Sequence, residues 1–177
     1  PQHGTFNIHG SLLPQYRGAA PINWAVMNGE TKTGVTSFFI DENIDTGATL
    51  LSKECEIDSN ETVGDVHDKL MMLGAELATK TCDAIFNDTI EAKTQLESTN
   101  LKKAPKLFKN NCKIDWSKST IEIHNHIRGL SPYPTAWTTF IRAEGEPQNT
   151  KIYKASYTLT DHNREVAEIE ADKKDLK

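Results

Sequence analysis

Hydrophobic and polar positions along the chain change period several times, and each change marks an element. Phe6-Asn7-Ile8-His9 alternates and reads as a short buried strand. Residues 34–40 (Gly-Val-Thr-Ser-Phe-Phe-Ile) are rich in β-branched and aromatic side chains, which pack well on a pleated surface, and predict a second strand. The turn Asp41-Glu42-Asn43 follows, and residues 48–53 predict a third. Between the first two, residues 19–28 predict a helix, with Pro21 near its start, Trp24 and Ala25 within it and Asn28-Gly29 as its stop. Asn60-Glu61-Thr62 opens a long helix in which Val63, Val66, Leu70, Leu73, Leu77 and Ile85 recur at helical spacing and form a core face.

From residue 92 to 105 the periodicity fades while Lys, Thr, Ser and Asn accumulate, the pattern of a linker. Ile114-Asp115-Trp116-Ser117 then leads into a helix with apolar positions Ile121, Ile123, Ile127 and Leu130, broken by Ser131-Pro132-Tyr133-Pro134. Short strands are expected at 136–142, 151–157 and 166–171, separated by Gly145-Glu146-Pro147 and Asp161-His162-Asn163, as in a small barrel or sandwich. The organisation expected is a unit over 1–91, a linker over 92–105 and a second unit over 106–177.

Composition narrows the class. Apolar content of 37% over 177 residues suits one good core or two modest ones. No apolar run approaches the roughly 20 residues a membrane helix needs. Cys55, Cys82 and Cys112 are odd in number and lack CxxC spacing, which argues against a disulfide framework or a zinc site and for a reduced, cytoplasmic compartment. The net charge of −5 hides an asymmetry: residues 1–104 carry 8 Lys+Arg against 15 Asp+Glu, residues 105–177 carry 12 against 10. Lys102, Lys103, Lys106, Lys109 and Lys113 cluster without an acid among them, a stretch suited either to a polyanion or to a solvated linker. Pro1 at the start, so close to the chemistry below, suggests a residue internal to a longer protein, and residues 172–177 look like a cut end.

The candidate chemistry lies in Asn7-Ile8-His9-Gly10-Ser11-Leu12-Leu13-Pro14 and in Asp45-Thr46-Gly47. Alternate residues of a strand share a face, so Asn7 and His9 project together, about 6.6 Å apart at two strand rises. Gly10 removes bulk where the strand ends, and Pro14 fixes the backbone of the departing loop. Each residue alone has a plainer reading: a strand-end hydrogen bonder for Asn7 or His9, a turn former for Asp45.

These segments, with Tyr16-Arg17-Gly18-Ala19-Ala20-Pro21-Ile22, Asn28-Gly29-Glu30, Thr33-Gly34-Val35-Thr36, Ile44-Asp45-Thr46-Gly47, Ile114-Asp115-Trp116 and Ile127-Arg128-Gly129-Leu130-Ser131-Pro132-Tyr133-Pro134-Thr135-Ala136-Trp137, resemble the methionyl-tRNA formyltransferase family over nearly the whole chain. The Asn-x-His and Asp-x-Gly elements are shared with other formyltransferases, including those acting on glycinamide ribonucleotide or sugar nucleotides. Arg17-Gly18-Ala19-Ala20-Pro21 and the 115–137 module favour the tRNA enzyme, although the sugar-nucleotide enzymes carry a similar second module. Gly10 stands where many relatives have alanine or proline, a small departure.

The resemblance implies an α/β fold: a truncated Rossmann-like formyltransferase domain, then a linker and an incomplete OB-like barrel. It implies transfer of a formyl group from 10-formyltetrahydrofolate to the α-amino group of methionyl-initiator-tRNA, without a metal, by a protein that is monomeric when full length and makes no membrane contact. In that reaction Asn7 and His9 stabilise the developing oxyanion, His9 shuttles a proton, and Asp45 orients His9 and receives the amine's proton. Ser11, Leu12, Leu13 and Pro14 would wall the folate pocket or pack on core. Arg17, Lys102, Lys103, Lys106 and Lys151, with Lys109 and Lys154, are candidate phosphate contacts, Arg17 equally a brace for an acid. Trp116, Tyr133 and Trp137 suit base stacking or barrel packing. His124 and His126, two apart on a helix, do not share a face as a metal pair would; His67 is expected at the surface, His162 in a turn and His3 near the terminus. The alternatives are formylation of an amino sugar on a nucleotide and a fragment that binds RNA without catalysis. The isolated chain is expected to be inactive.

Overall fold

The computed structural model describes residues 3–96, 98–141, 145–160 and 166–167. Strands β1 (Phe6–His9), β3 (Lys32–Phe39) and β4 (Thr49–Glu56) form an antiparallel sheet in the order β1-β3-β4. Phe6 pairs with Phe39 and His9 with Thr36; the β3·β4 register shifts between Thr36 and Phe38. A short second pairing, β2 (Arg17–Gly18) with β5 (Lys103–Ala104), is parallel. The arrangement is α/β, with antiparallel neighbours in the main sheet among the described residues.

Central strand β3 is buried continuously from Thr33 to Phe38, because helix α2 (Val63–Phe86) covers one face and the loop after β1 the other. Burying Thr36 and Ser37 requires partners for their hydroxyls. Thr36 Oγ1 donates to Ser11 O at 2.7 Å and accepts from Leu13 N at 3.1 Å. Ser37 Oγ donates to Leu51 O at 3.3 Å and accepts from Thr81 Oγ1 at 2.9 Å. Helix α2 starts at a reciprocal cap between Thr62 and Asp65 and buries Val63, Val66, Leu70 and Leu77, the stripe its spacing predicts. Val66, Leu70 and Leu77 share a core with Tyr16, Val26, Val35 and Ile57.

Helix α1 (Pro21–Met27) packs on helix α3 (Thr120–Gly129), which belongs to a second core of Cys112, Ile114, Ile127, Leu130 and Ala136. Arg128, 6% exposed, donates from Nη1 to the carbonyls of Asp58 and Glu61 at 3.3 and 2.9 Å, and Asn23 Nδ2 donates to Gly129 O at 2.9 Å. The stretch from Arg128 to Pro132 is thus the seam between the units.

The segment 92–105 is fastened along the first unit. Lys93 exchanges backbone hydrogen bonds with Thr49, Lys102 O accepts from Tyr16 N at 2.7 Å, and Trp24 Nε1 donates to Pro105 O at 2.8 Å. Backbone pairing without apolar periodicity is what a pattern search reads as a linker. The basic stretch is likewise not freely solvated: Lys102 is paired with Glu30, and Lys109 and Lys113 lie over the Trp137 ring at 5.4 and 5.6 Å.

In the second unit, β6 (Ala136–Phe140) pairs antiparallel with β7 (Gln148–Ile152). The strand expected at 151–157 therefore begins earlier, at Gln148. Its polar residues are held by pairing with β6 rather than by burial, so apolar content misplaces it. Of the strand expected at 166–171, Val166 and Ala167 form a turn and the remainder lies outside the described residues, as does His162. The described residues contain no closed barrel.

Candidate active site

Strand β1 delivers both candidate side chains to the face that Thr36 and Phe38 share across the register. His9 is 6% exposed, whereas Asn7 is open to solvent. Asn7 Oδ1 accepts from Ile8 N at 2.9 Å, and its amide NH₂ has no partner among the described residues. A donor group at the open end of the site thus remains available.

His9 Nε2 lies 2.8 Å from Tyr16 O. A carbonyl only accepts, so this nitrogen carries the proton, an assignment made from its partner. The neutral ring then turns the lone pair of Nδ1 toward Asp45, whose Oδ2 is 3.7 Å away. That separation is an ion-pair distance and too long for a hydrogen bond. A proton arriving at Nδ1 would meet the carboxylate directly. The Phe38 ring stands edge-on to the imidazole, 6.4 Å between centroids, and limits its tilt.

Asp45 sits in a tight loop. Its φ is +56°, the left-handed region that Asp tolerates better than most residues. Gly47 follows because a Cβ there would lie 1.7 Å from Phe39 O. Thr46 Oγ1 donates to Asp41 at 2.8 Å and closes the turn. The Asp45 carboxylate accepts from Gly18 N at 2.8 Å, so the Arg17-Gly18 strand reaches the site through its backbone.

Gln95, expected in the linker, is part of this arrangement. It is 8% exposed; Nε2 donates to Asp45 O at 2.9 Å and Gly47 O at 2.7 Å, while Oε1 accepts from Arg17 Nε at 3.0 Å and Nη2 at 2.8 Å. No sequence pattern marks it; only its contacts, 50 and 78 residues away along the chain, give it a place.

Ser11 is fully buried and its Oγ donates to Gln15 O at 2.6 Å; Leu12, Leu13 and Pro14 are half-buried. Leu12 borders a cavity of about 290 Å³ with Tyr16, Glu30 and Lys102. There burial pushes the Glu30 carboxyl up, but hydrogen bonds from Lys102 and Tyr16 outweigh it and hold the carboxyl below its usual range. Burial and the Glu30 carboxylate raise the Tyr16 phenol. A larger cavity of about 790 Å³ lies between the units, bordered by Gly10, Ala19, Thr62, Asp65 and Tyr133. Gly10 directly follows His9 in the chain, but Asn7, His9 and Asp45 are not among the residues lining this space.

Lys103, Lys106 and Lys151 are exposed. Trp116 Nε1 donates to Thr138 Oγ1 at 2.8 Å and Trp137 Nε1 to Lys109 O at 2.9 Å, both inside the second unit's packing, while Tyr133 is 81% exposed. His67 is exposed; His124 Nε2 lies 3.3 Å from Ser59 O across the seam, His126 is half-buried with Nε2 unpartnered among the described residues, and no metal-holding cluster occurs among those residues. No helix is long and apolar enough to cross a membrane among those residues.

Comparison with known proteins gives the site its context. The methionyl-tRNA formyltransferase of Flavobacterium psychrophilum is 51% identical over 177 residues, covering 100% of this chain and 56% of the relative. That of Phocaeicola vulgatus is 48% identical over 178 residues, covering 98% and 55%. The chain thus spans little more than half the length of these relatives. Among solved structures, an N-formyltransferase from Helicobacter canadensis, in complex with folinic acid and dTDP-3-aminofucose, superposes with a TM-score of 0.75 at 28% identity, covering 97% of this chain and 60% of that one. The sugar 3N-formyl transferase WlaRD gives a TM-score of 0.64 at 32% identity, over 70% and 45%. A family model described as formyl transferase matches residues 1–93, and one described as formyl transferase, C-terminal domain, matches 106–177. With both halves matched in chain order, this chain belongs to the formyl transferase family.

Proposed function

We propose that the chain carries the chemical centre of an enzyme that formylates the α-amino group of methionyl-initiator-tRNA, with 10-formyltetrahydrofolate as donor. The observation that carries the reading is the approach of Asp45 to 3.7 Å from His9, which lies on the strand that also presents Asn7. The donor set suits acyl transfer: an amide N–H and an imidazole as donors, with a carboxylate behind the ring. The folate supplies the formyl carbon. As the amine attacks that carbon, the carbonyl oxygen gains negative charge, and the Asn7 amide donates to it; the His9 ring, whose Nε2–H is given to Tyr16 O, adds to this once Nδ1 is protonated. A preorganised donor of this kind lowers the barrier by about 2.7–4 kcal/mol. His9 takes up the proton lost by the amine at Nδ1, where Asp45 neutralises the charge formed. The tetrahedral species then collapses, the bond between the formyl carbon and the folate nitrogen breaks, and the proton passes from Nδ1 to that nitrogen as tetrahydrofolate leaves.

In this reading Ser11, Leu12, Leu13 and Pro14 shape the wall of the donor pocket, and Arg17, Lys102, Lys103, Lys106 and Lys151 serve the acceptor's phosphates. Residues 1–91 form the catalytic unit with the Rossmann-like character of the family, 92–105 the connector, and 106–177 the part of an OB-like domain present here. The intact enzyme works as a cytoplasmic monomer. Among the described residues strand β1 has a sheet partner on one side only, and the 177 residues alone are expected to turn over little or not at all.

A second acceptor has a specific observation in its favour. The Helicobacter canadensis structure, in complex with dTDP-3-aminofucose, superposes over 97% of this chain. The deciding experiment measures formylation of charged initiator tRNA from 10-formyltetrahydrofolate, by this chain and by a version lengthened at both ends to the span of its relatives. Transfer to methionyl-tRNA by the lengthened protein supports the reading. Transfer only to an amino sugar nucleotide replaces the acceptor, and no transfer to either removes the catalytic assignment.

A further inference from the structure

We propose that Gln95 is a positioning residue for Asp45, holding the carboxylate against His9 from the segment that joins the two units. The inference rests on the reading of His9 and Asp45 as the catalytic pair.

Every hydrogen-bonding site of the Gln95 amide is engaged. Its NH₂ donates to Asp45 O at 2.9 Å and Gly47 O at 2.7 Å; its oxygen accepts from Arg17 Nε and Nη2 at 3.0 and 2.8 Å. The residue after Arg17 supplies the amide that donates to Asp45 Oδ2 at 2.8 Å. The bonds therefore close a ring: Asp45 carboxylate to Gly18, along the backbone to Arg17, across to Gln95, and back to the Asp45 carbonyl. The strand carrying Arg17 and Gly18 is itself paired with Lys103 and Ala104, downstream of Gln95.

Such bracing answers a specific need. Asp45 occupies a left-handed conformation that non-glycine residues keep only when their surroundings impose it. The Nδ1–Oδ2 separation of 3.7 Å involves no direct hydrogen bond, so the His9 ring does not fix the carboxylate. Gln95 holds the loop by its backbone and Gly18 holds the carboxylate. At 8% exposure, the Gln95 amide works where water cannot replace it.

Two variants separate positioning from general support of the fold. Gln95→Glu keeps an acceptor for Arg17 and loses both donated bonds; Gln95→Met loses both ends at similar length. The first measurement is amide hydrogen exchange in the 177-residue chain, read at Gly18, whose N–H reports the Asp45 carboxylate directly. Protection of that amide is expected to fall about tenfold or more in both variants, with β3 and α2 amides unchanged. Unchanged protection at Gly18, or an equal loss throughout β3 and α2, overturns the proposal.

The second measurement is turnover in the lengthened protein. Gln95→Glu is expected to lower kcat about tenfold with KM for the folate donor unchanged, and Asp45→Asn to cost less on that background than alone. Additive losses, or a change confined to KM, overturn it. Should no version transfer formyl, the catalytic reading fails while Gly18 exchange still decides what Gln95 does.

Discussion

Gly129 at the end of α3 lies so close to Met27 of α1 that a Cβ built on it would stand 2.5 Å from Met27 Cγ and 2.8 Å from Met27 N. Glycine is a poor helix former, and here the close approach of two helices from different units requires it. Gly129→Ala must push the helices apart. A loss of about 1–3 kcal/mol is expected, read as a lower urea midpoint with the m-value unchanged. An unchanged midpoint would show that the seam yields freely.

Acid should destabilise the second unit through His126. Burial pushes its pKa below the ordinary 6.5, a hydrogen bond with the Cys112 backbone only partly opposing it, and Nε2 has no partner among the described residues. With the folded pKa depressed, the unfolded chain binds a proton that the folded chain refuses. This contribution to stability is present above pH 6.5 and falls as the pH drops below it. Melting temperature measured from pH 8 to pH 5 should decline less in His126→Gln than in the parent.

Thr62→Ala removes one half of the cap on α2. Thr62 Oγ1 accepts from Asp65 N at 3.3 Å and Asp65 Oδ2 from Thr62 N at 2.8 Å. The expected cost is about 1 kcal/mol in chemical denaturation. The side-chain and backbone hydrogen bonds from Thr62 also hold the Asp65 carboxyl below its usual range. That contribution is present above the unfolded value and lost as pH falls through the folded one; a partial return of Asp65 titration toward its ordinary value in the variant, the backbone bond being retained, checks the assignment by NMR.

Activity should separate the three site residues by role. In the lengthened protein, Asn7→Ala and His9→Ala are expected to lower kcat by about 10²–10³ through loss of oxyanion donors. Asp45→Asn should act mainly on the proton step and steepen the dependence of rate on pH. Wild-type turnover in any one variant would remove that residue from the mechanism.

Salt dependence tests the lysines. Lys151 is exposed, whereas Lys102 is already paired with Glu30. If Lys151 meets a tRNA phosphate, Lys151→Ala should reduce the slope of log affinity against log salt by about 0.7–0.9. Lys102→Ala should change the slope less, because its charge is partly compensated. Identical slopes for Lys151→Ala and the parent would exclude that contact.

Helical spacing located α2 and α3, because each buries one face and the spacing of Val66, Leu70 and Leu77 or Ile123 and Ile127 records which; α1 was marked by Pro21 and Asn28-Gly29, and β3 by its β-branched and aromatic residues. The strand carrying Asn7 and His9, and the Asp45-Thr46-Gly47 loop, stood out for a different reason: each residue alone has a plain structural use, but together and in order they match the motifs of one family. Three features were decided only in three dimensions. Gln95 gains its place from carbonyls and a guanidinium that no local pattern connects. Strand β7 is set by pairing with β6 rather than by its own polar residues. Arg128 and Gly129 look like ordinary helix residues until α3 meets α1 and the loop before α2. Local sequence encodes which face of an element avoids water; which backbone groups its polar side chains satisfy depends on what the rest of the chain brings alongside.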